Sequence, residues 1–281
     1  MNKHYINGAW VESAGESELI SNDPTTGDVL WQGTEATASD VEAAVDAAQT
    51  AFPAWSRLPM KTRQDYIDAF CAEVDAHREE LGALIAKETG KVLWDALGEV
   101  NVVTGRGAIT KNSYAERAGN KQKDLGGGLS SQLQHRAHGV MAVYGPYNFP
   151  AHLPNAHMMP SLLAGNTVVV KPSEQTPAVA EFLFTLWDKV GLPKGVVNLV
   201  QGGLTAGVAL AANQDLAGIL FTGSYATGKR IHEGLAGRPE VMLALEMGGN
   251  NPLVIWDAHN LEAAADLAIQ SAYITSGQRC T

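Results

Sequence analysis

Two hydrophobic rhythms divide the chain. Residues 1–36 read as short strands and turns, bent most tightly at Asp23-Pro24 and Thr26-Gly27. From Val41 the apolar residues recur at helical spacing through Ala44, Val45, Ala48 and Phe52, until Pro53 closes the run. Ser39 with Glu42 three residues on has the form of a capping box, so a helix is predicted to start there. A second helical region is predicted over about 62–87, with Ile67, Phe70, Cys71, Val74, Leu81, Leu84 and Ile85 on its apolar face. Cys71 reads there as a small buried hydrophobe, since nothing basic or metal-binding is spaced to meet it. Between 118 and 138 the chain turns polar. Gly126-Gly127-Gly128 and the alternating Leu-Ser-Ser-Gln-Leu-Gln-His-Arg predict a hairpin or exposed arm over 119–138.

After Gly139 short apolar runs alternate with helical stretches. The runs are Val140–Tyr144, Thr167–Val170, Val196–Val200, Ile219–Thr222 and Val241–Leu245, with Val254-Ile255 behind them. Helices are predicted at about 178–190, 204–212, 226–236 and 261–276. Strands and helices in this alternation make βαβ units, hence an α/β fold with a mostly parallel, doubly wound sheet.

Composition narrows the partners rather than the fold. Thirty acidic residues against twenty basic ones leave a formal charge of −10, which argues against nucleic acid and against anionic membrane surfaces. No stretch is apolar enough for a membrane span and the first residues lack a signal-type apolar core, so a cytoplasmic address is expected. The two cysteines, Cys71 and Cys280, offer no disulfide framework. His152 and His157 are spaced by five and lack an H-E-x-x-H arrangement, so no metal is expected.

In a doubly wound sheet, ligands bind beyond the carboxyl ends of the strands. Here those ends carry Gly145-Pro146-Tyr147-Asn148, Lys171-Pro172-Ser173-Glu174, Gly223-Ser224-Tyr225-Ala226-Thr227-Gly228-Lys229 and Glu246-Met247-Gly248-Gly249. The glycine loop between a strand and a helix is a place for phosphate. It misses a P-loop because Arg230 stands where Ser or Thr should hold magnesium, and it misses G-x-G-x-x-G because Tyr225 stands at a glycine position; a plain strand-to-helix turn is an equal reading. Glu174, just past a strand end, has the placement that holds a ribose 2′-hydroxyl and repels a 2′-phosphate. Cys280 follows Gly277-Gln278-Arg279, and the adjacent cation favours the nucleophilic thiolate. Its base is left open among Glu246 and the eight histidines.

Taken in order, Tyr147-Asn148-Phe149-Pro150, Lys171-Pro172-Ser173-Glu174, Phe221-Thr222-Gly223-Ser224 with Gly228, Leu245-Glu246-Met247-Gly248-Gly249-Asn250 and Gly277-Gln278-Arg279-Cys280 resemble the aldehyde dehydrogenase superfamily. The resemblance extends to Tyr5-Ile6-Asn7-Gly8 and Asn22-Asp23-Pro24-Thr25-Thr26-Gly27, nearly the whole chain. It implies an aldehyde dehydrogenase-like fold with a variant Rossmann domain that binds NAD without G-x-G-x-x-G. Residues 1–118 and 139–247 would form that domain, 119–138 an oligomerisation arm, and 248–281 the start of a catalytic domain left incomplete. Cys280 would be the nucleophile, Asn148 with the Cys280 backbone N–H the oxyanion donors, and Glu246 the general base. Lys171, Ser173, Glu174, Gly223, Ser224, Tyr225, Ala226, Thr227 and Gly228 would line the cofactor cleft. Tyr147 in place of the usual tryptophan, His152-Leu153-Pro154-Asn155-Ala156-His157, Asn198–Gly203 and the doubled Asn250-Asn251 resemble the branch that oxidises N-succinylglutamate 5-semialdehyde in arginine breakdown. Another aldehyde substrate, or a dinucleotide-binding fragment without turnover, is the alternative. The family pattern continues beyond the nucleophile, so the expectation is that these 281 residues alone are poorly active and that the complete protein is a homo-oligomer.

Overall fold

The computed structural model describes residues 3–280. β1 (His4–Ile6) and β2 (Ala9–Val11) form one antiparallel pair, and β3 (Glu18–Asn22) and β4 (Val29–Thr34) a second. Four helices follow, α1 (Ala38–Ser56), α2 (Met60–Ala76), α3 (Arg78–Thr89) and α4 (Leu93–Arg117), and then the hairpin of β5 (Lys121–Gly126) and β6 (Leu129–Leu133). The alternating part comprises β7 (Val140–Tyr144), α5 (His152–Ala164), β8 (Thr167–Lys171), α6 (Pro177–Val190), β9 (Val197–Leu199), α7 (Leu204–Ala212), β10 (Leu216–Gly223), α8 (Tyr225–Leu235) and β11 (Met242–Met247). The last helix is α9 (Leu261–Tyr273), followed by a short 3₁₀ turn.

The main sheet runs β11-β10-β7-β8-β9-β1-β2. Its strands from β11 to β9 are parallel, and β1 and β2 extend it antiparallel at one edge. Strand alternation sends side chains to two cores. Met141, Val143, Val168, Val170 and Leu220 face the core shared with α2 to α6, while Val140, Ala142, Tyr144, Val169, Ile219 and Phe221 face the one shared with α1, α7 and α8. Both faces are thus covered, as a parallel sheet requires. From β7 the chain winds outward through β8 and β9, then returns to place β10 on the other side of β7. That reversal opens a crevice between neighbouring loops, the position ligands use in doubly wound sheets.

Several elements differ from the sequence expectation. Thr37 caps α1 in place of Ser39: its hydroxyl accepts from the Asp40 backbone N–H, and the Asp40 carboxylate accepts from Thr37 N at 2.8 Å. Ser13 also donates to Asp40, at 2.6 Å, so the shorter acid earns more partners than Glu42 could reach. The stretch at 62–87 is two helices, broken at His77, whose φ of −109° and ψ of 24° leave the helical region and whose ring nitrogen bonds the Glu73 carbonyl. The bend lets Ile67, Phe70 and Val74 share one core with Leu81 and Ile85. α4 and α5 were not expected. The face that α4 buries, Ala96, Val100, Val103, Gly107 and Thr110 with Glu99 among them, keeps a helical spacing but is made largely of small or polar residues, and α5 carries Pro160 inside, so neither stands out as an apolar stripe. Val254-Ile255 pairs with no strand among the described residues, and α9 ends at Tyr273 with no buried residue. The hairpin at 119–138 is present and wholly exposed along its strands. Cys71 is half-buried, burial raising its thiol pKa, which agrees with a packing role.

Candidate functional site

A cleft of about 850 Å³ opens beyond the carboxyl ends of β7, β8, β10 and β11. At the end of β8, Lys171 turns back under the cleft. Its ammonium donates to the Pro172 carbonyl at 2.7 Å and stands 3.6 Å from the Glu174 carboxylate. Burial lowers the Lys171 pKa, opposed by Glu174 and Glu35. The Lys171 stem packs along Gly207 of α7, where even a Cβ would meet its Cε only at contact distance, 3.4 Å. Tyr144 donates to the Gly207 carbonyl at 2.8 Å and holds the same helix to the strand end. Ser173 and the half-exposed Glu174 carboxylate line the cleft beside Lys171.

Gly223 closes β10 and Ser224 caps α8, accepting from Thr227 N at 3.2 Å and donating to the Thr227 hydroxyl at 2.9 Å. The cleft wall runs through Gly223, Ser224 and Thr227, and it exposes the positive end of the helix to whatever enters. Tyr225 and Ala226 lie in the first turn, Tyr225 with its ring in solvent. Gly228 has another task. It is buried, and a Cβ there would lie 2.6 Å from Met247 Sδ, so its bareness lets α8 approach β11.

Asn148, Glu246 and Cys280 all line the same cleft. The Asn148 side-chain amide donates to the Gln278 carbonyl at 2.8 Å, and the Tyr147 hydroxyl donates to Gln278 Oε1. Gln278 is brought there by three successive left-handed residues, Thr275, Ser276 and Gly277, with φ of 56°, 53° and 71°. Such a run in non-glycine residues stores strain, which concentrates at functional sites. Ser276 donates to the Gly90 carbonyl at 3.1 Å, and a Cβ on Gly249 would lie 3.2 Å from the Cys280 carbonyl, so the cysteine segment rests on the Gly248-Gly249 turn. Glu246 is exposed near the end of β11, in register with Thr222 of β10. The arrangement sets a thiol, a carboxylate and an amide donor around one opening beside a helix N-terminus.

A model of the aldehyde dehydrogenase family matches residues 10–281. The chain belongs to the aldehyde dehydrogenase family. Among its relatives, the N-succinylglutamate 5-semialdehyde dehydrogenases of Salmonella typhimurium and Salmonella heidelberg are 51% and 50% identical over 277 residues, which is 99% of this chain. The chain spans 56% of the length of these relatives. Among solved structures it resembles a putative aldehyde dehydrogenase from Burkholderia cenocepacia, with a TM-score of 0.91 and 34% identity over 99% of this chain and 57% of that one. It also resembles the betaine aldehyde dehydrogenase of Staphylococcus aureus, solved in complex with NAD+, with a TM-score of 0.93 and 31% identity over 99% of this chain and 56% of that one.

Beneath the cleft lies a layer that sequence reasoning did not reach. Lys91 and Glu99 form an ion pair at 2.5 Å with side chains 1% and 0% exposed. Glu99 Oε1 also accepts from the backbone N–H groups of Ala151 and His152, each at 2.9 Å, so it caps the start of α5. Lys91 Nζ stands 4.1 Å over the Phe149 ring, and the Arg279 guanidinium lies 5.7 Å from that ring. The loop bearing Asn148 is therefore gripped from below by a buried pair and touched from above by the residue preceding Cys280. Glu88 does the same for α6. It accepts from Ala178 N at 2.9 Å, Val179 N at 2.8 Å and the Ser21 hydroxyl at 2.9 Å, and burial pushes its pKa up to about 7 despite these donors. One signal was available: Glu99 falls three residues after Ala96 and four before Val103, on the buried face of α4, where an unpaired carboxylate would be costly.

Proposed function

We propose that the complete protein oxidises N-succinylglutamate 5-semialdehyde to N-succinylglutamate with NAD, the step its Salmonella relatives are named for, in arginine breakdown. The observation that carries the reading is the meeting of Cys280, Asn148 and Glu246 at one cleft that also presents Lys171, Glu174 and the α8 N-terminus. In this reading residues 1–118 and 139–247 form the NAD-binding domain and 248–281 begin the catalytic domain. The exposed β5–β6 hairpin serves as the arm through which copies assemble.

The residues present fit a dinucleotide. The Glu174 carboxylate stands at the strand end, where it would take the ribose hydroxyls with Lys171 and Ser173 and disfavour a 2′-phosphate. Gly223, Ser224 and Thr227 at the start of α8, where Tyr225, Ala226 and Gly228 also lie, present a helix N-terminus suited to the pyrophosphate. The bound dinucleotide supplies the hydride acceptor that converts a Cys280 thiohemiacetal to a thioester.

The Cys280 thiolate attacks the aldehyde carbon, and the carbonyl π pair moves to oxygen. That oxyanion needs donors already in place, and the Asn148 amide has two N–H groups. One is held by the Gln278 carbonyl, which fixes the amide plane; the other, with the Cys280 backbone N–H, faces the oxyanion. Glu246 then takes a proton from water as it attacks the thioester carbon, and the Cys280 sulfur leaves to regenerate the thiolate.

The test is NADH formation by the complete protein with N-succinylglutamate 5-semialdehyde. Cys280→Ala should lower turnover by about 10⁴-fold or more while leaving NAD affinity within about twofold. Turnover retained in Cys280→Ala, or a preference for uncharged aldehydes in the parent protein, refutes the assignment of nucleophile or substrate respectively.

A further inference from the structure

Arg106 is a part-buried cation with no counter-charge and, unlike the buried Arg63, whose guanidinium is taken up by the carbonyls of Ser56, Leu58 and Leu163, no backbone carbonyl to hold it among the described residues. It sits on α4, half-buried, with Nε sealed from solvent and bonded to nothing, and no carboxylate lies within ion-pair distance of it among the described residues. Its neighbours are histidines. One guanidinium nitrogen lies 3.4 Å from His152 Nδ1 and 3.3 Å from His152 Nε2. Near-equal distances to both ring nitrogens place the guanidinium over the imidazole face, because an in-plane approach would drive it into the ring carbon between them. That nitrogen directs an N–H at the ring, while Nε and the second terminal nitrogen keep donors without a partner among the described residues. Burial together with the Arg106 charge holds both His152 and His157 near a pKa of 4, so neither adds a proton that would repel a cation at neutral pH. A part-buried arginine with free donors and no carboxylate nearby has the chemistry to take an anion from outside.

The cluster adjoins the reaction centre. The His152 ring meets Phe149 edge-on, with centroids 6.1 Å apart, and Phe149 follows Asn148 and lies beneath Arg279. His157 bonds the Thr222 hydroxyl at 3.0 Å, and Thr222 is a cleft residue in register with Glu246. One side chain thus separates Arg106 from the loop that carries the oxyanion donor.

We propose that Arg106, set by His152 and His157, binds a carboxylate of the substrate remote from its aldehyde carbon and so selects acidic semialdehydes over uncharged aldehydes. The inference rests on the substrate reading above and adds the residues that read the acid. A part-buried guanidinium donating two charge-assisted bonds is strong enough to discriminate, and the succinyl carboxylate and the α-carboxylate of such a substrate both have the right chemistry.

The experiment compares kcat/KM of the complete protein for N-succinylglutamate 5-semialdehyde and for butanal, in the parent protein, Arg106→Met and Arg106→Lys. Arg106→Met should lower the ratio of the two values by roughly 10- to 100-fold, mostly through KM of the acidic substrate, with Arg106→Lys in between. An equal fall for both aldehydes, or an unchanged ratio, overturns the proposal; the former would mean that Arg106 only holds α4 in place, for instance by pairing with a carboxylate beyond the described residues. A parent protein that shows no preference for the acidic substrate overturns the substrate reading instead. Should Arg106→Met fail to fold, the Lys variant carries the ratio test, and imidazole NMR of the parent and the Lys variant with added succinate gives a second readout. Shifts of His152 and His157 in the parent that weaken in Arg106→Lys support the site, and no shift in the parent refutes it.

Discussion

Replacing Lys91 by Met tests whether the Asn148 loop is held by charge. In the folded chain the substitution leaves Glu99 with no cation, in a place where neither side chain meets solvent. Removing one partner of a buried pair costs about 3–5 kcal/mol. Two features shift that figure. The stranded carboxylate keeps the N–H bonds from Ala151 and His152 and can take up a proton, which relieves part of the cost, while loss of the ammonium over Phe149 adds about 1 kcal/mol. A net destabilisation of about 2–4 kcal/mol is expected near neutral pH. The sign with pH follows from Glu99, whose pKa burial already raises and Lys91 pulls back. Without Lys91 the folded pKa climbs further, so the native state retains a proton that the unfolded chain has lost, and stability drains away as pH rises above the ordinary carboxylate value. The deficit of Lys91→Met should therefore be small near pH 5 and largest near pH 8. Urea unfolding of the parent, Lys91→Met, Glu99→Gln and the double variant at both pH values gives the coupling. The double variant should be more stable than the sum of the singles by about 2 kcal/mol or more, since it strands neither charge. Additivity within about 0.5 kcal/mol, or a deficit that ignores pH, would refute the idea that this pair anchors the loop.

Three further outcomes follow from the same geometry. Gly228→Ala should weaken NAD binding with little net change in stability, within about 1 kcal/mol, because its Cβ pushes the Met247 thioether at 2.6 Å toward the cleft while alanine favours the helix by about 1 kcal/mol; unaltered affinity would show that Met247 turns aside freely. Glu174→Gln should weaken NAD by roughly 10-fold while improving NADP relative to NAD, measured by fluorescence titration, and a uniform loss for both would remove the 2′-selective role. His152 and His157 are held near a pKa of 4, so the unfolded chain takes up protons that the native chain refuses as pH falls from about 6.5 through 4, and stability is lost in that window. Glu88, raised to about 7, acts with the opposite sign between about 4.5 and 7. The reading is therefore differential: the gap in unfolding free energy between the parent and His152→Gln/His157→Gln should narrow by roughly 1–2 kcal/mol from pH 7 to pH 4, discounted for partial exposure, and a constant gap would refute it.

What the sequence discloses and what it hides divide along a physical line. Val140–Tyr144, Thr167–Val170 and Ile219–Thr222 lie within strands because a parallel strand buried on both faces must be continuously apolar, and no other class of element of that length reads so. Ser224 and Glu174 were readable for a related reason, since their chemistry depends on standing within three residues past a strand end. Cys280, Asn148 and Glu246 were assembled only by the resemblance to a family, because no periodicity relates a loop after β7, the end of β11 and a turn beyond α9. The layer beneath them was invisible for a different cause. Glu99 and Glu88 act through backbone N–H groups of segments 52 to 91 residues away, Lys91 through the Glu99 carboxylate, and Arg106 through the His152 ring on another helix. A charged residue looks alike in sequence whether it meets water or a helix N-terminus. The discriminating observation is burial, and in each of these cases burial came from α4, α5 and α6 packing on one face of the sheet. Glu99 interrupts the buried stripe of α4 where it caps α5, so in α4 a break in the apolar pattern and support of the Asn148 loop have a single origin. In α5 the breaks are Asn155 and Ser161, which bond carbonyls of their own helix, while His152 and His157 lie beside the buried stripe and meet Arg106 and Thr222 from its flank.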